Sequence, residues 1–326
     1  MTSRVPTDHA LVGEAAKLPT IPPTPVVSVS PIVIPAPERL LDLQLRVSAP
    51  TTGSDLPIIL LSHGQGHSNN LSSLNGYGPL VSYWASHGFA VIQPTHLSSL
   101  TLRFDESTPG APMFWRSRVD DMKLILDKLD FVEEAAGMKG RLDRSKVAVA
   151  GHSMGGHTAS MLLGSTLTDP DDGTVSKLIE PRISAGLLLT APGNGGDSLS
   201  AFASEKYSFF RHPSFAEMTT PALVVVGDND INPRLNTRGA AWHTDPFHFS
   251  PGPKDMLTLF DGGHLLGGIS GWDAKETTDE SPERVAAVQR LTWAYLRSAL
   301  YPGDAAWSRA CVALKEVGTI GKVESK

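Results

Sequence analysis

A serine between two glycines is the first feature of this chain that could do chemistry. It lies in the segment GHSMG at 151–155, which follows an apolar run at 146–151 and opens a helical pattern at 153–164. A serine at a sharp turn from a strand into a helix keeps its hydroxyl exposed, and small flanking residues let the strand and the helix pack closely. This context predicts that Ser153 is a nucleophile.

A serine hydroxyl needs a base, and the base needs a group that orients it. Where this turn occurs, the chain order is serine, acid, histidine, with the acid and the histidine each following a strand. Asp228 and Asp230 follow the apolar run 222–227, and His264 follows the run 255–260 and two glycines. We predict His264 as the base and Asp230 as the acid, since Asp228 is more typical of a turn residue.

Other histidines fit catalytic or ligand roles less well. His243 and His248 lie in a loop before the last predicted strand, so they are weaker candidates for the base than His264. His63 and His67 are four residues apart, a spacing that on a helix could hold a metal ion. The two glycines between them disfavour a helix, and no third ligand is evident nearby. The sequence therefore predicts no metal site.

An attacked carbonyl oxygen becomes negative and needs N–H donors around it. One predicted donor is the backbone N–H of Met154, the residue after the nucleophile, and the other is that of Gln65, in the loop after the apolar run 57–62. The glycines on either side of Gln65 allow the backbone to approach a ligand closely.

Residues so far apart must be positioned by a common framework. Short apolar runs alternate with longer helical stretches from residue 57 onward, and the runs lie at 57–62, 89–94, 146–151, 184–191, 222–227 and 255–260. Continuous apolar runs of this length indicate strands that are buried on both faces. Helical patterns lie at 115–135 and 153–164, and another follows Ser281-Pro282, which is typical of a helix start. The alternation predicts an α/β fold with a mostly parallel central sheet flanked by helices on both faces.

The chain divides into three parts by composition. Residues 1–38 are a proline-rich N-terminal arm, expected to be extended or to form an edge strand, because proline lacks a backbone donor and fixes φ. Residues 39–300 are predicted to form one catalytic domain, and residues 301–326 a C-terminal tail. Irregular loop insertions in the domain leave from the catalytic edge of the sheet, at about 96–114, 192–220 and 231–253.

Aromatic residues are frequent in these three insertions, and loops on a rigid sheet commonly form the binding pocket. We predict that Phe114, Trp115, Phe210 and Trp242 line a pocket for an apolar acyl or alcohol group. The alternative is that they pack the loops onto the core.

Composition limits the partners and the setting of the protein. The net charge is −6 and basic residues are scattered, so neither nucleic acid nor a strongly anionic substrate is expected. A single cysteine, Cys311, excludes an intrachain disulfide. Because no secretory signal and no membrane span is visible, a cytoplasmic location is expected, although a chain trimmed of its leader would look the same.

The motifs together resemble those of α/β-hydrolases in the dienelactone-hydrolase-like and platelet-activating-factor-acetylhydrolase-like group, and the chain is similar to chlorophyllases and polyester-cleaving cutinases. The matching pieces are LLSHGQG (60–66), WASHGFAVIQPTH (84–96), RSRVDDMKLILDKL (116–129), VAVAGHSMGG (147–156), PALVVVGDND (221–230) and DGGHLL (261–266). The resemblance implies the α/β-hydrolase fold, a Ser153–Asp230–His264 triad, no cofactor, and hydrolysis of a small-molecule carboxylic ester through an acyl-enzyme.

Two departures and several alternatives qualify this expectation. The loop at 62–67 that carries Gln65, here called the oxyanion loop, is not the HGGG form of many lipases. Dienelactone hydrolases proper have cysteine where this chain has Ser153. A lactonase, an amidase or an acyltransferase would use the same triad. A non-catalytic ligand-binding receptor on this fold should have lost a triad member, and none is missing.

Overall fold

A nine-stranded sheet lies at the centre of the computed structural model, which describes residues 10–68, 70–271 and 274–326. The described strands are β1 (Val26–Ile34), β2 (Leu43–Pro50), β3 (Leu56–Ser62), β4 (Ala90–Pro94), β5 (Leu142–His152), β6 (Thr166–Thr168), β7 (Val175–Lys177), β8 (Ile183–Leu189), β9 (Pro213–Ser214), β10 (Ala222–Gly227), β11 (Lys254–Leu259) and β12 (Gly321–Ser325). The central sheet has the order β1-β2-β4-β3-β5-β8-β10-β11-β12, and β6, β7 and β9 form a small antiparallel sheet. From β4 to β11 the neighbouring strands are parallel, and antiparallel pairs occur only toward the two edges of this sheet.

Helices cover both faces of the central sheet. The described helices are α1 (Gly78–Ser86), α2 (Trp115–Asp127), α3 (Leu129–Ala135), α4 (Met154–Leu162), α5 (Ala201–Lys206), α6 (Asp245–His248), α7 (Pro282–Leu300) and α8 (Ala306–Val317). Apolar side chains of α1, α7 and α8 pack on one face, and those of α2, α3 and α4 pack on the other. This arrangement confirms the predicted fold, a mostly parallel sheet between two helical layers, which is the α/β-hydrolase fold.

All six apolar runs form strands of the central sheet, namely β3, β4, β5, β8, β10 and β11. Their side chains face a helical layer on each side, so almost every position must be apolar. The carboxyl ends of the parallel strands meet at one edge of the sheet. The loops that follow β3, β5, β10 and β11 at this edge carry Gln65, Ser153, Asp230 and His264 respectively.

The helical pattern at 115–135 is two helices rather than one. Lys128 lies between α2 and α3 with φ −111° and ψ 20°, and its N–H donates to the carbonyl of Leu124 at 3.0 Å. In α3, the buried carboxylate of Glu133 accepts a hydrogen bond from the backbone N–H of Leu142, at the start of β5. This contact directs α3 toward β5, and the periodicity of the sequence contains no sign of it.

The predicted C-terminal tail, residues 301–326, needs correction because it is part of the fold. Ala306, Ala310 and Leu314 recur every four residues and form the buried face of α8. The strand β12 then pairs antiparallel with β11 and forms one edge of the sheet.

The predicted boundary between the arm (1–38) and the domain (39–300) also needs correction, because it separates two strands that pair with each other. Residues 1–9 of the predicted arm lie outside the described residues. Within the described part, β1 pairs antiparallel with β2 and forms the other edge of the sheet, with Ile32 and Ile34 buried. Pro31 lies where the pairing is interrupted between Val29 and Ile32, a position where a missing backbone donor costs little.

None of the helices in the described residues combines the length and the apolar character needed to cross a membrane.

Candidate active site

Ser153 occupies a strained turn between β5 and α4. Its backbone has φ 54° and ψ −118°, a conformation that non-glycine residues rarely adopt and that is concentrated at functional sites. The turn is fixed by its own N–H, which donates to the carbonyl of Leu189 at 2.9 Å. The Ser153 hydroxyl makes no hydrogen bond to the described residues. Catalytic hydrogen bonds are often long until a substrate binds.

The two glycines of the turn are required by sterics. A Cβ on Gly151 would lie 1.9 Å from the carbonyl oxygen of Gly155, and a Cβ on Gly155 would lie 2.0 Å from the carbonyl oxygen of Ser62. Both contacts are with backbone atoms that cannot move aside independently. The pattern around Ser153 therefore follows from the close approach of β5, α4 and β3.

The structure brings Asp230 and His264 together. His264 Nδ1 donates to Asp230 Oδ2 at 2.8 Å, which leaves Nε2 unprotonated in the neutral ring and able to accept a proton. Asp230 is 1% exposed and the His264 side chain is 29% exposed. Burial alone would raise the pKa of the Asp230 carboxyl, but the neighbouring histidines, His264 above all, hold this pKa below its usual value. The carboxylate is thus kept ionised to orient the imidazole. Asp228, in contrast, is exposed.

His243 also lies beside Asp230 but is arranged differently from His264. Its Nε2 is 3.1 Å from Asp230 Oδ2 without hydrogen-bond geometry, while its Nδ1 is 2.9 Å from the carbonyl oxygen of Ala191. A carbonyl can only accept, so Nδ1 carries the proton of the neutral ring. Burial lowers the pKa of His243, which favours this neutral form. His243 is 1% exposed, so it is not placed to act as a base.

Asp230, His243 and His264 also offer three potential metal-ligand atoms within 4.8 Å of one another. A metal ion there would have to replace the proton that His264 shares with Asp230. The histidine pair considered from the sequence is not brought together in this way. His63 is buried with both ring nitrogens in hydrogen bonds, and His67 is exposed.

The two predicted oxyanion donors are backbone N–H groups of the loop after β3 and of the start of α4. Among the described residues, neither the backbone N–H of Met154 nor that of Gln65 has an acceptor. Met154 is the first residue of α4, where N–H groups point out of the helix and favour negative charge. The Gln65 side chain donates to the carbonyl of Ser98 at 2.8 Å, which anchors its loop.

The side chain of Arg118 connects the oxyanion loop to the helix α4, and the sequence analysis assigned it no role. Its guanidinium is completely buried and donates to the carbonyl oxygen of His63 and to Thr158 Oγ1, the latter at 3.1 Å. Burial lowers the pKa of Arg118 to about 9. Because Thr158 belongs to α4, Arg118 ties the loop after β3 to the helix that begins at Met154. The available sign of this role in the sequence was that Arg118 lies in the piece 116–129, which matches the hydrolases that the chain resembles.

The four aromatic residues predicted to bind substrate are mostly interior. Phe114 and Phe210 are buried, and Trp242 is 0% exposed with its indole N–H donating to the carbonyl of Asn194 at 2.7 Å. In this arrangement of the loops Trp242 has no surface for a substrate, so it packs the loops onto the core. Trp115 is half-buried and lies in the wall of a cavity of about 460 Å³. Neither Ser153 nor His264 lines that cavity.

His157, one turn after Ser153 on α4, is a buried histidine that the sequence did not single out. The rings of Trp115, Phe209 and Phe210 lie within 6.2 Å of its centroid, and neither of its nitrogens has a hydrogen-bond partner among the described residues. Burial lowers its pKa to about 3, followed in effect by the charge of Arg118. His157 is therefore neutral in the folded protein at neutral and mildly acidic pH.

Replacing His157 with phenylalanine should raise the free energy of unfolding, and more at pH 5 than at pH 7. The unfolded chain binds a proton at this histidine below about pH 6.5, while the folded chain does not until about pH 3. The free energy of unfolding of the wild type therefore decreases as pH falls through this window, by up to about 1.4 kcal/mol per pH unit. The variant has no imidazole at this position, so this decrease should be absent. Urea unfolding at both pH values measures it. His212→Phe, at an exposed position, is the control and should keep the pH dependence of the wild type; an equal pH dependence for both variants would contradict the argument.

The fold is that of an α/β-hydrolase. Residues 27–171 match the family model of chlorophyllase. The matched residues include Gln65 and Ser153 but end before Asp230 and His264.

The chain is also similar to the platelet-activating factor acetylhydrolase of Cavia porcellus. The two are 27% identical over a match that covers 34% of this chain and 33% of that protein. The match thus spans about a third of the length of this curated relative. Together, the two similarities confirm the resemblance of this chain to the chlorophyllase and acetylhydrolase group, in which ester hydrolases are found.

Proposed function

We propose that this protein is a serine hydrolase that cleaves a carboxylic ester through an acyl-enzyme, with Ser153 as nucleophile, His264 as base and Asp230 as the orienting acid. The observation that carries the proposal is the 2.8 Å hydrogen bond from His264 Nδ1 to the buried carboxylate of Asp230. It occurs at the same sheet edge as the strained turn of Ser153 and leaves the basic nitrogen of His264 available.

The reaction follows from the roles that these groups can take. His264 Nε2 accepts the hydroxyl proton as Ser153 Oγ attacks the ester carbonyl, and Asp230 stabilises the imidazolium that forms. The N–H groups of Met154 and Gln65 stabilise the oxyanion, each by roughly 3–4 kcal/mol. The C–O bond to the alcohol then breaks, and the alcohol leaves with the proton from His264. Water, deprotonated by His264, attacks the acyl-enzyme and releases the acid and the free serine.

The substrate class that we propose is an ester of small to medium size and largely apolar character. Met154, whose N–H is a proposed oxyanion donor, belongs to an apolar cluster with Leu199 and Phe210, and this cluster supports apolar surroundings for the site. The Cavia porcellus relative is named an acetylhydrolase, which indicates that it removes an acetyl group from its substrate. Acetyl esters are therefore the first substrates to test.

A fluorophosphonate probe and a panel of esters test the proposal directly. Ser153 should displace fluoride from the probe and become covalently labelled, which mass spectrometry of the peptide containing residue 153 detects. The panel should contain p-nitrophenyl acetate, butyrate and octanoate, a simple lactone and an anilide. We expect turnover of at least one ester and slower turnover of the anilide. Absence of both labelling and ester turnover would refute the proposal, and preferred turnover of the lactone would reassign the substrate class.

A further inference from the structure

His152, the residue before the nucleophile, lies in a continuous chain of hydrogen bonds. Its Nε2 is 2.8 Å from the carbonyl oxygen of His264, and its Nδ1 is 2.8 Å from the hydroxyl of Tyr77. The Tyr77 hydroxyl is in turn 2.9 Å from the backbone nitrogen of Gly64. The chain thus joins the oxyanion loop, the nucleophile turn and the backbone of the predicted base.

The direction of every hydrogen bond in this chain is fixed by its two ends. The carbonyl of His264 can only accept, so the proton of His152 is on Nε2. Burial lowers the pKa of His152 to about 3, so the ring is neutral and Nδ1 keeps a lone pair. The Tyr77 hydroxyl must donate to that lone pair, and its oxygen accepts from the N–H of Gly64, which can only donate. In every hydrogen bond of the chain the donor and the acceptor are thus assigned, and the assignments are mutually consistent.

The chain leaves little room for rearrangement. Tyr77 is 0% exposed and His152 is 2% exposed, and burial raises the pKa of the Tyr77 phenol. A Cβ on Gly64 would lie 2.9 Å from both His152 Nδ1 and the Tyr77 hydroxyl, so glycine is the residue that permits this approach. Thr190 Oγ1 donates to the same His264 carbonyl at 3.2 Å and fixes it from a second side.

We propose that Tyr77 and His152 are positioning residues, which hold the oxyanion donor at Gln65 at a fixed separation from the nucleophile and the base. The inference rests on the proposed ester hydrolysis at Ser153. The imidazole of His264 is oriented by Asp230 through its side chain, whereas His152 orients it through its backbone carbonyl. Neither Tyr77 nor His152 needs to touch the substrate in this role.

Removing the Tyr77 hydroxyl should slow the chemical step more than it weakens binding. Tyr77→Phe leaves the Gly64 N–H and His152 Nδ1 without partners, so the oxyanion loop is free to shift. A displacement of about 1 Å at reacting groups can cost roughly 100-fold in rate, so we expect kcat for p-nitrophenyl acetate to fall about 10- to 100-fold, with KM within about threefold. Tyr295→Phe is the matched control, because Tyr295 is buried in α7, its hydroxyl makes no hydrogen bond to the described residues, and its ring contacts Trp307 rather than the catalytic edge. Equal kinetics for the two variants would overturn the inference.

Two substitutions of His152 separate positioning from simple filling of space. The amide nitrogen of Gln reaches the same place as His Nε2 and can still donate to the His264 carbonyl, whereas that of Asn is one bond too short. We expect His152→Gln to keep at least about ten times more kcat than His152→Asn. The double variant Tyr77→Phe with His152→Gln should be no slower than the slower single variant, because both changes remove the same hydrogen bond between Tyr77 and His152. Losses that multiply, or a better Asn variant, would refute the chain.

The ring tautomer of His152 gives a test that needs neither activity nor a variant. Nitrogen NMR of the labelled wild-type protein should show protonated Nε2 and unprotonated Nδ1 from about pH 5 to 8. The opposite tautomer would overturn the inference even if every variant fails to fold. If the wild type neither turns over esters nor reacts with a fluorophosphonate, the proposed function fails, while the tautomer still decides whether the hydrogen-bond chain exists.

Discussion

Replacing Ser153 with alanine should lower kcat for p-nitrophenyl esters by roughly 10⁴- to 10⁶-fold, the range expected when a hydrolase nucleophile is removed. Without Oγ no acyl-enzyme can form, and the remaining oxyanion donors can only assist direct attack by water. Steady-state kinetics with p-nitrophenyl acetate measures the loss. Fluorophosphonate labelling of the peptide that contains residue 153 should disappear in the same variant.

The backbone of Ser153 makes the interpretation of this variant simple. Alanine keeps the Cβ, so the strain of φ 54° is the same in both proteins, and urea unfolding should give about the same stability within ±0.5 kcal/mol. Ser153→Gly removes the same hydroxyl and relieves the strain, so it should be equally inactive and more stable by about 1 kcal/mol or more. Ser308→Ala, at an exposed position of α8, is the matched control and should retain full activity. Activity of Ser153→Ala within tenfold of wild type would exclude Ser153 as the nucleophile.

The strands and the nucleophile turn could be predicted from the sequence because local constraints determine them. A strand between two helical layers must be apolar at successive positions, and the six runs had that property. The glycines beside Ser153 are demanded by backbone atoms within 2.0 Å of where their Cβ atoms would lie. Constraints of this kind remain visible in one chain without any comparison.

Pairings between distant side chains could not be predicted in the same way. Tyr77 and His152 are 75 residues apart, and their hydrogen bond depends on how the segment before α1 returns to the end of β5. The position of His264 after β11 favoured it over His243 as the base, but the hydrogen-bond partners of the two rings could not be predicted, since both lie beside Asp230. They differ in the partner of Nδ1, which is Asp230 for His264 and the carbonyl of Ala191 for His243. No sequence pattern specifies that carbonyl.

The edge strands of the sheet and the packing of the loops also could not be predicted from the sequence. The strand β12 is short and mostly exposed, so its side chains give little sign that its backbone completes the sheet. Trp242 is an aromatic residue of a type that often lines binding pockets, but it is buried like a core residue. The packing of its loop determines which of the two roles it has.

Asp230→Asn should be the second most damaging substitution, with kcat lowered about 10⁴-fold. The asparagine amide can present an N–H to His264 Nδ1 and stabilise the tautomer in which Nε2 carries the proton. A protonated Nε2 cannot accept the hydroxyl proton of Ser153, and the imidazolium formed during attack would lose its counter-charge. The kcat of each ester in the panel measures this loss, and KM should change little because Asp230 is buried away from the substrate.

Asp228→Asn is the matched control, because it makes the same chemical change two residues away on an exposed carboxylate. Its kcat should stay within about threefold of wild type. The low pKa of Asp230 gives a second criterion, which is the pH dependence of kcat. The ionised carboxylate must be present throughout the active pH range, and it is lost only below the ordinary range of an aspartate. If Asp228→Asn were the slower variant, the acid would have to be reassigned to Asp228. The exposed carboxylate would then have to reach His264 through a rearranged loop after β10, and the 2.8 Å hydrogen bond of Asp230 would have a structural role only.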